Sequence, residues 1–161
     1  RGGALGPSTM NRSVDVQHLI AGLDPGRSKC GLVLTDGLAQ QIQEAAILSP
    51  SQTLSWLRHW HSQGLRTLVI GNGTGSKPWL SRLRDLDLTL QLVDERGTTL
   101  AARQRYWELF PPRGLAKLIP LGLRMPPRDL DDLAAQLLLE RQLGRRLQRQ
   151  LEPVLRTWPA P

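Results

Sequence analysis

The chain has 161 residues, 40% of them hydrophobic, and carries 21 Lys and Arg against 14 Asp and Glu, a formal net charge of +7. That length makes one domain with a core of its own; the hydrophobic content excludes a disordered chain, and no apolar run approaches the ~20 residues of a membrane-spanning helix. The single cysteine excludes an internal disulfide and a cysteine-based zinc cage and fits a reducing cytoplasm, while the arginine-rich excess favours nucleic acid as partner over a membrane surface.

Residues 1–17 have no apolar centre, are rich in Gly, Ser and Pro, and are not a secretory signal; they are expected to fray, with Met10 a more natural start than Arg1. From residue 18 the pattern becomes regular. Residues 18–24 and 30–36 read as apolar strands joined by a turn at Pro25-Gly26, and 40–48 as a third strand after Asp36-Gly37. Short turns between them imply an antiparallel meander. Cys30, inside the second strand, reads as a small buried hydrophobe.

The period then changes. Leu54, Leu57 and Trp60, with Trp56 close by, predict a helix over 50–63 with Gly64 at its end. Residues 65–71 read as a buried parallel strand. Asn72 to Pro78 form a loop, followed by a helix through Trp79, Leu80, Leu83 and Leu86. A strand over 88–93 places Leu88, Leu90 and Leu92 on one face, and a helix covers 98–110. Pro111 to Pro127 is too long and too rich in proline for a simple turn. The last helix is expected over 129–150, opening on the acids that favour a helix N-terminus, and 151–161 forms a tail. The order predicts one mixed α/β domain over 18–150. Its central sheet has five strands, three antiparallel then two parallel, flanked by helices in the ribonuclease H-like manner.

Three acids fall where such a sheet would let them converge: Asp24 at the end of the first strand, Glu95 just after strand 88–93, and Asp131 in the first turn of the last helix. Several carboxylates suit two Mg²⁺ or Mn²⁺ ions held about 3.5–4 Å apart for phosphodiester hydrolysis, and hard oxygen donors without a His/Cys cluster argue against zinc. Ala134 and Ala135, on the helical face of Asp131, would let that helix approach the sheet. Each acid also has a plain structural reading: Asp24 in a turn, Glu95 paired with Arg96, and Asp129, Asp131 and Asp132 complementing the helix dipole.

The segments around these acids, GLDPGRSKCG, VDERGTTLAAR and LDDLAAQLLLE, resemble the motifs of the YqgF/RuvX family of ribonuclease H-like nucleases, relatives of the RuvC resolvases. The first supplies Asp24, Gly26, Lys29 and Gly31, with Lys29 where the family usually has Arg. The second matches the family's Asp-Glu-Arg pattern and is the most specific. The third aligns Asp131 with the family acid by its distance to the alanine pair, with Asp132 as second choice. The resemblance covers about residues 18–145 and implies catalytic, metal-binding roles for Asp24, Glu95 and Asp131. It also implies a two-metal endonuclease acting on precursor 16S rRNA ends or on branched DNA such as Holliday junctions, in the cytoplasm. Action on a two-fold junction would need a homodimer. After the first parallel strand, IGNGTGSKP departs from the family's Gly-x-Pro and resembles the YqgF-like domain of Tex, which leaves a non-catalytic nucleic-acid-binding module as the alternative. The Pro111–Pro127 segment is a second departure.

Arg27 and Lys29 beside Asp24, Lys77 in the glycine-rich loop, Arg96 and Arg103 near Glu95, and Lys117 and Arg128 around the Pro-rich segment are the candidate phosphate contacts. Arg141, Arg145, Arg146 and Arg149 read as a basic band on the last helix. The glycine-rich loop does not match a nucleotide-triphosphate motif. The tryptophans read as core, and His18, His59 and His61 show no ligand or triad spacing.

Overall fold

A computed structural model describes residues 18–150 and 153–161. Residues 1–17, expected to fray, lie outside the described residues. The chain opens with β1 (Leu19–Asp24), β2 (Cys30–Thr35) and β3 (Gln41–Leu48), then alternates α1 (Pro50–Ser62), β4 (Leu65–Gly71), α2 (Ser76–Arg82), β5 (Thr89–Val93) and α3 (Thr98–Leu109). Two 3-10 turns, Gly114–Leu118 and Leu121–Leu123, lead into α4 (Asp131–Leu143) and a short β6 (Gln148–Arg149). The sheet order is β5-β4-β1-β2-β3-β6. The pairs β1–β2 and β2–β3 are antiparallel, and β1–β4, β4–β5 and β3–β6 are parallel. The five expected strands and their directions stand, and β6 adds a sixth at the β3 edge.

That extra strand explains why the last helix stops short of residue 150. Gly144 takes a left-handed conformation, φ 70°, and ends α4, although Leu147 continues the apolar pattern. Leu147 is buried, but from the connection into β6 rather than from a helix.

Strand periodicity divides the core into two layers. Leu32 and Leu34 of β2 face Trp56 and Leu57 of α1, Trp79 of α2 and Leu83 just after it, whereas Val33 faces Ala135 and Leu139 of α4. β2 is therefore buried on both faces, as a central strand must be. Trp56 and Trp79 are core residues, as expected. The indole N–H groups of Trp56 and Trp60 both donate to Glu44 Oε2, at 2.7 and 3.0 Å, which satisfies a carboxylate on the inner side of β3. At the β5 edge Leu88 and Leu90 reach the core, while Leu92 is half exposed.

The tail folds back on the domain. Leu155 bridges to Ala46 of β3, with Ile47 N–H donating to its carbonyl at 2.8 Å, and Trp158 packs on the core beside the His59 ring.

Candidate active site

β1 lies between β4 and β2, so its C-terminal end opens at the middle of the sheet edge, where strand directions diverge. Asp24 is the last residue of β1, half-buried, with the chain turning away at Pro25-Gly26. Asp131 is the first residue of α4 and approaches from the face opposite α1. Two glycines make that approach possible. A Cβ at Gly31 of β2 would collide with the Asp131 backbone carbonyl, and one at Gly22 of β1 would stand 2.7 Å from the Ala135 carbonyl. The alanines on α4 are thus half of a close contact whose other half is glycine in the sheet.

Glu95 arrives from the β5 end. Asn72 N–H donates to the Val93 carbonyl at 2.9 Å and ties the ends of β4 and β5 together; the Thr98 hydroxyl donates to the Glu95 carbonyl at 2.7 Å and fixes the turn into α3. The Glu95 carboxylate lies against Gly71 and Gly73, where any side chain would collide with it. Gly71 at the end of β4 and Gly73 in the Asn72–Pro78 loop therefore make room for that carboxylate. A Cβ at Gly75 would likewise stand 3.1 Å from the Pro25 carbonyl, so the same loop backs the turn after Asp24.

Asp24 feels the other two acids. Burial first, then the charges of Asp131 and Glu95, push the Asp24 carboxyl up from 3.8 to about 7. The donor set is all oxygen, which fits a hard divalent cation, and a cation is the natural relief for the repulsion. The side chains are not gathered as one ligand group: among the described residues, no three His, Cys, Asp or Glu stand close enough to hold one ion. Lys29 stands beside one of the three acids. Its ammonium lies 2.7 Å from Asp129 Oδ2 and 3.6 Å from Asp131 Oδ2, and the Asp129 hydrogen bond holds it above the usual ammonium range. An internal cation thus takes part of the charge a metal would neutralise.

A cleft of about 710 Å³ opens over Asp24 and Asp131, with Arg103 of α3, Met125, Arg128 and Arg156 in its wall. Glu95 is outside that wall. Arg103 faces the cleft without an ion pair among the described residues, whereas Arg128 is committed, donating to Asp132 Oδ1 at 2.8 Å and to the Asp129 carbonyl at 2.7 Å. Arg27 and Lys77 are exposed. Arg96 pairs with Asp94 at 3.9 Å, and Lys117 lies outside the cleft, beside Pro111 and Arg113. Arg156 is a cleft residue that the sequence did not single out. The apolar Leu155 and Trp158 around it were the available signal that the tail would dock.

Asp132, the second choice for a ligand, is fully buried and takes hydrogen bonds from Arg128 and, at 2.5 Å, Arg149. One residue along a helix turns a side chain by about 100°, so Asp131 faces the cleft and Asp132 the interior. The expected basic band is likewise absent as a band. Arg149 lies in β6, Arg141 donates to the Asp94 and Arg96 carbonyls at 2.7 Å, Arg145 to the Leu38 carbonyl at 3.0 Å, and Arg146 to Glu108 at 2.7 Å. Cys30 is fully buried, and desolvation raises its thiol, so it is no nucleophile.

An antiparallel meander followed by parallel strands, with acids at the ends of β1 and β5 and at the start of α4, defines an α/β protein of the ribonuclease H-like class. Within that class the chain is similar to a protein of Coxiella burnetii (strain CbuK_Q154) named "Putative pre-16S rRNA nuclease", at 29% identity over 144 residues, covering 79% of this chain and 94% of that one. The resemblance to the YqgF/RuvX family read from the motifs therefore extends along most of the chain. Two structures of Thermus thermophilus RuvC also align. The one in complex with a Holliday junction substrate has a TM-score of 0.44 and 15% identity, the other 0.41 and 17%, each covering 78% of this chain and 96% of RuvC. No family model matches.

Proposed function

We propose that the protein is a metal-dependent endonuclease of the YqgF/RuvX type that hydrolyses phosphodiester bonds, with precursor 16S rRNA ends as the favoured substrate and branched DNA as the other. The observation that carries this reading is Asp24 at the end of β1: its burial, with the carboxylates of Asp131 and Glu95 brought near it from two other elements, disfavours its charge. A scaffold gains nothing from such repulsion, whereas a cation site needs it. Bound divalent metal, as one or two ions, would activate water and stabilise the leaving oxygen. The chain's own residues do the rest. Gly31 and Gly73 admit Asp131 and Glu95 to the end of β1, and Arg103 and Arg156, facing the cleft, would hold the phosphates of the strand.

A second reading, a nucleic-acid-binding module without cleavage, is favoured by the Lys29 contacts with Asp129 and Asp131. Incubating labelled precursor rRNA and branched DNA with Mg²⁺, Mn²⁺ or EDTA, beside Asp24→Asn, separates the two. Cleavage that needs metal and is lost in the variant supports the nuclease. Cleavage that persists in Asp24→Asn sinks this site, and binding without cleavage in any metal leaves the module.

A further inference from the structure

The segment between α3 and α4 concentrates the molecule's exposed apolar side chains. Leu115, Leu118, Leu123 and Met125 are 82, 79, 72 and 71% exposed, with Ile119 and Leu121 beside them. Isolated exposed leucines are ordinary on a surface, but six large aliphatic side chains within eleven residues mark a contact face. The segment is not a loose loop. It forms two 3-10 turns, and Arg124 donates to the carbonyls of Ile119 at 2.7 Å and Lys117 at 3.1 Å, folding it on itself. Its far end, Met125 to Arg128, lines the cleft that holds Asp24 and Asp131.

Charge restricts what can cover it. No acid lies between Glu108 and Asp129, while Arg113, Lys117, Arg124 and Arg128 do. A second copy docked face to face would set like charge against like. The partner must be anionic and still offer apolar faces. Unpaired nucleotides meet both demands. Residues 111–127 contain no Trp, Tyr or Phe, so the segment lacks the aromatic platforms on which single strands stack; aliphatic side chains act instead as wedges against exposed base steps.

We propose that residues 111–127 form a wedge for the nucleic-acid substrate. Leu115, Leu118 and Leu123 press on unpaired bases where a duplex stops or branches, and Arg113 and Lys117 hold the adjoining phosphates. The inference rests on the nuclease reading for the polymer in the cleft, and assigns this segment the choice of branched or end structures over plain duplex.

The test uses the full chain in EDTA with a forked DNA carrying 2-aminopurine at the pair next to the branch. Leu115→Ser/Leu118→Ser/Leu123→Ser alters only exposed side chains, and its thermal melt checks the fold. Wild-type protein is expected to raise the fluorescence at least two-fold and to prefer the fork to plain duplex. The serine variant should lose both while keeping the dependence of affinity on salt. Arg113→Ala/Lys117→Ala should instead lower the slope of log K against log salt by roughly 1.4–1.8. The wedge is overturned if the serine variant keeps the signal and the fork preference, if wild type binds fork and duplex alike, or if the serine substitutions convert a dimer to a monomer. It is also overturned if they abolish binding to an acidic protein while leaving the fork signal intact. Failure of the nuclease reading looks different: no cleavage of any substrate with metal, yet a fork signal that depends on the three leucines.

Discussion

Removing the charge at Asp24 should stabilise the metal-free protein at neutral pH, the reverse of the usual effect of substitution at a half-buried position. In the folded chain Asp24 keeps its proton up to about pH 7, whereas the unfolded carboxyl releases it near 3.8. The folded state therefore binds more protons between those values, and stability falls as pH rises from about 4 to about 7. The full difference corresponds to roughly 4 kcal/mol above pH 7, and solvent at the cleft reduces it, so a gain of about 2–4 kcal/mol is expected for Asp24→Asn at pH 8. Urea unfolding in EDTA at pH 4 and pH 8 measures it. The variant should match wild type at pH 4 and exceed it at pH 8. Mn²⁺ at 1,000 times its Kd should cancel or invert that order at pH 8, since it adds about 4.1 kcal/mol to a protein that binds it. Equal stability at both pH values, or a less stable variant at pH 8, would refute the repulsion on which the site rests.

Three further outcomes follow from the same geometry. Gly31→Ala should lift the start of α4 and destabilise by about 1–3 kcal/mol or more in urea melts, and should abolish Mn²⁺-dependent stabilisation even in the folded fraction, because Asp131 moves with that turn. Lys29→Met should change stability by less than about 1 kcal/mol, since its ion pair is half exposed, yet strengthen Mn²⁺ binding by up to about five-fold in calorimetry by releasing Asp131. Arg149→Ala should cost about 3–5 kcal/mol, because it removes one of the two arginines that satisfy the fully buried Asp132.

What could be read in the sequence was what local pattern determines. The opening hairpin, the parallel strand 65–71 and the start of α1 depend on period-two and helical spacing within single elements, and their bounds hold to within a residue or two. Strand β6 could not be read: two residues have no periodicity, and their pairing with Gln41 and Ile42 lies more than a hundred residues away. The basic band failed for the same reason. Its arginines look equivalent along the chain, but their partners are Asp94, Leu38, Glu108 and Asp132, brought close only by tertiary folding.

The acids divide along that line. Asp24, Glu95 and Asp131 each stand at an element's edge, where sequence marks them, and the glycines that admit them come from other elements. Gly31 lies a hundred residues from Asp131, and Gly71 and Gly73 more than twenty from Glu95. The site is thus specified twice, once by carboxylates whose positions a motif records and once by absent side chains that only the packed structure explains. The two contacts differ in kind: at Gly31 a side chain would meet helix backbone, at Gly73 the end of a flexible side chain. Here alanine at Gly31 would drive Asp131 away from the end of β1, and alanine at Gly73 would displace the Glu95 carboxylate. Under the nuclease reading proposed above, a bound cation would make this gathering of negative charge favourable.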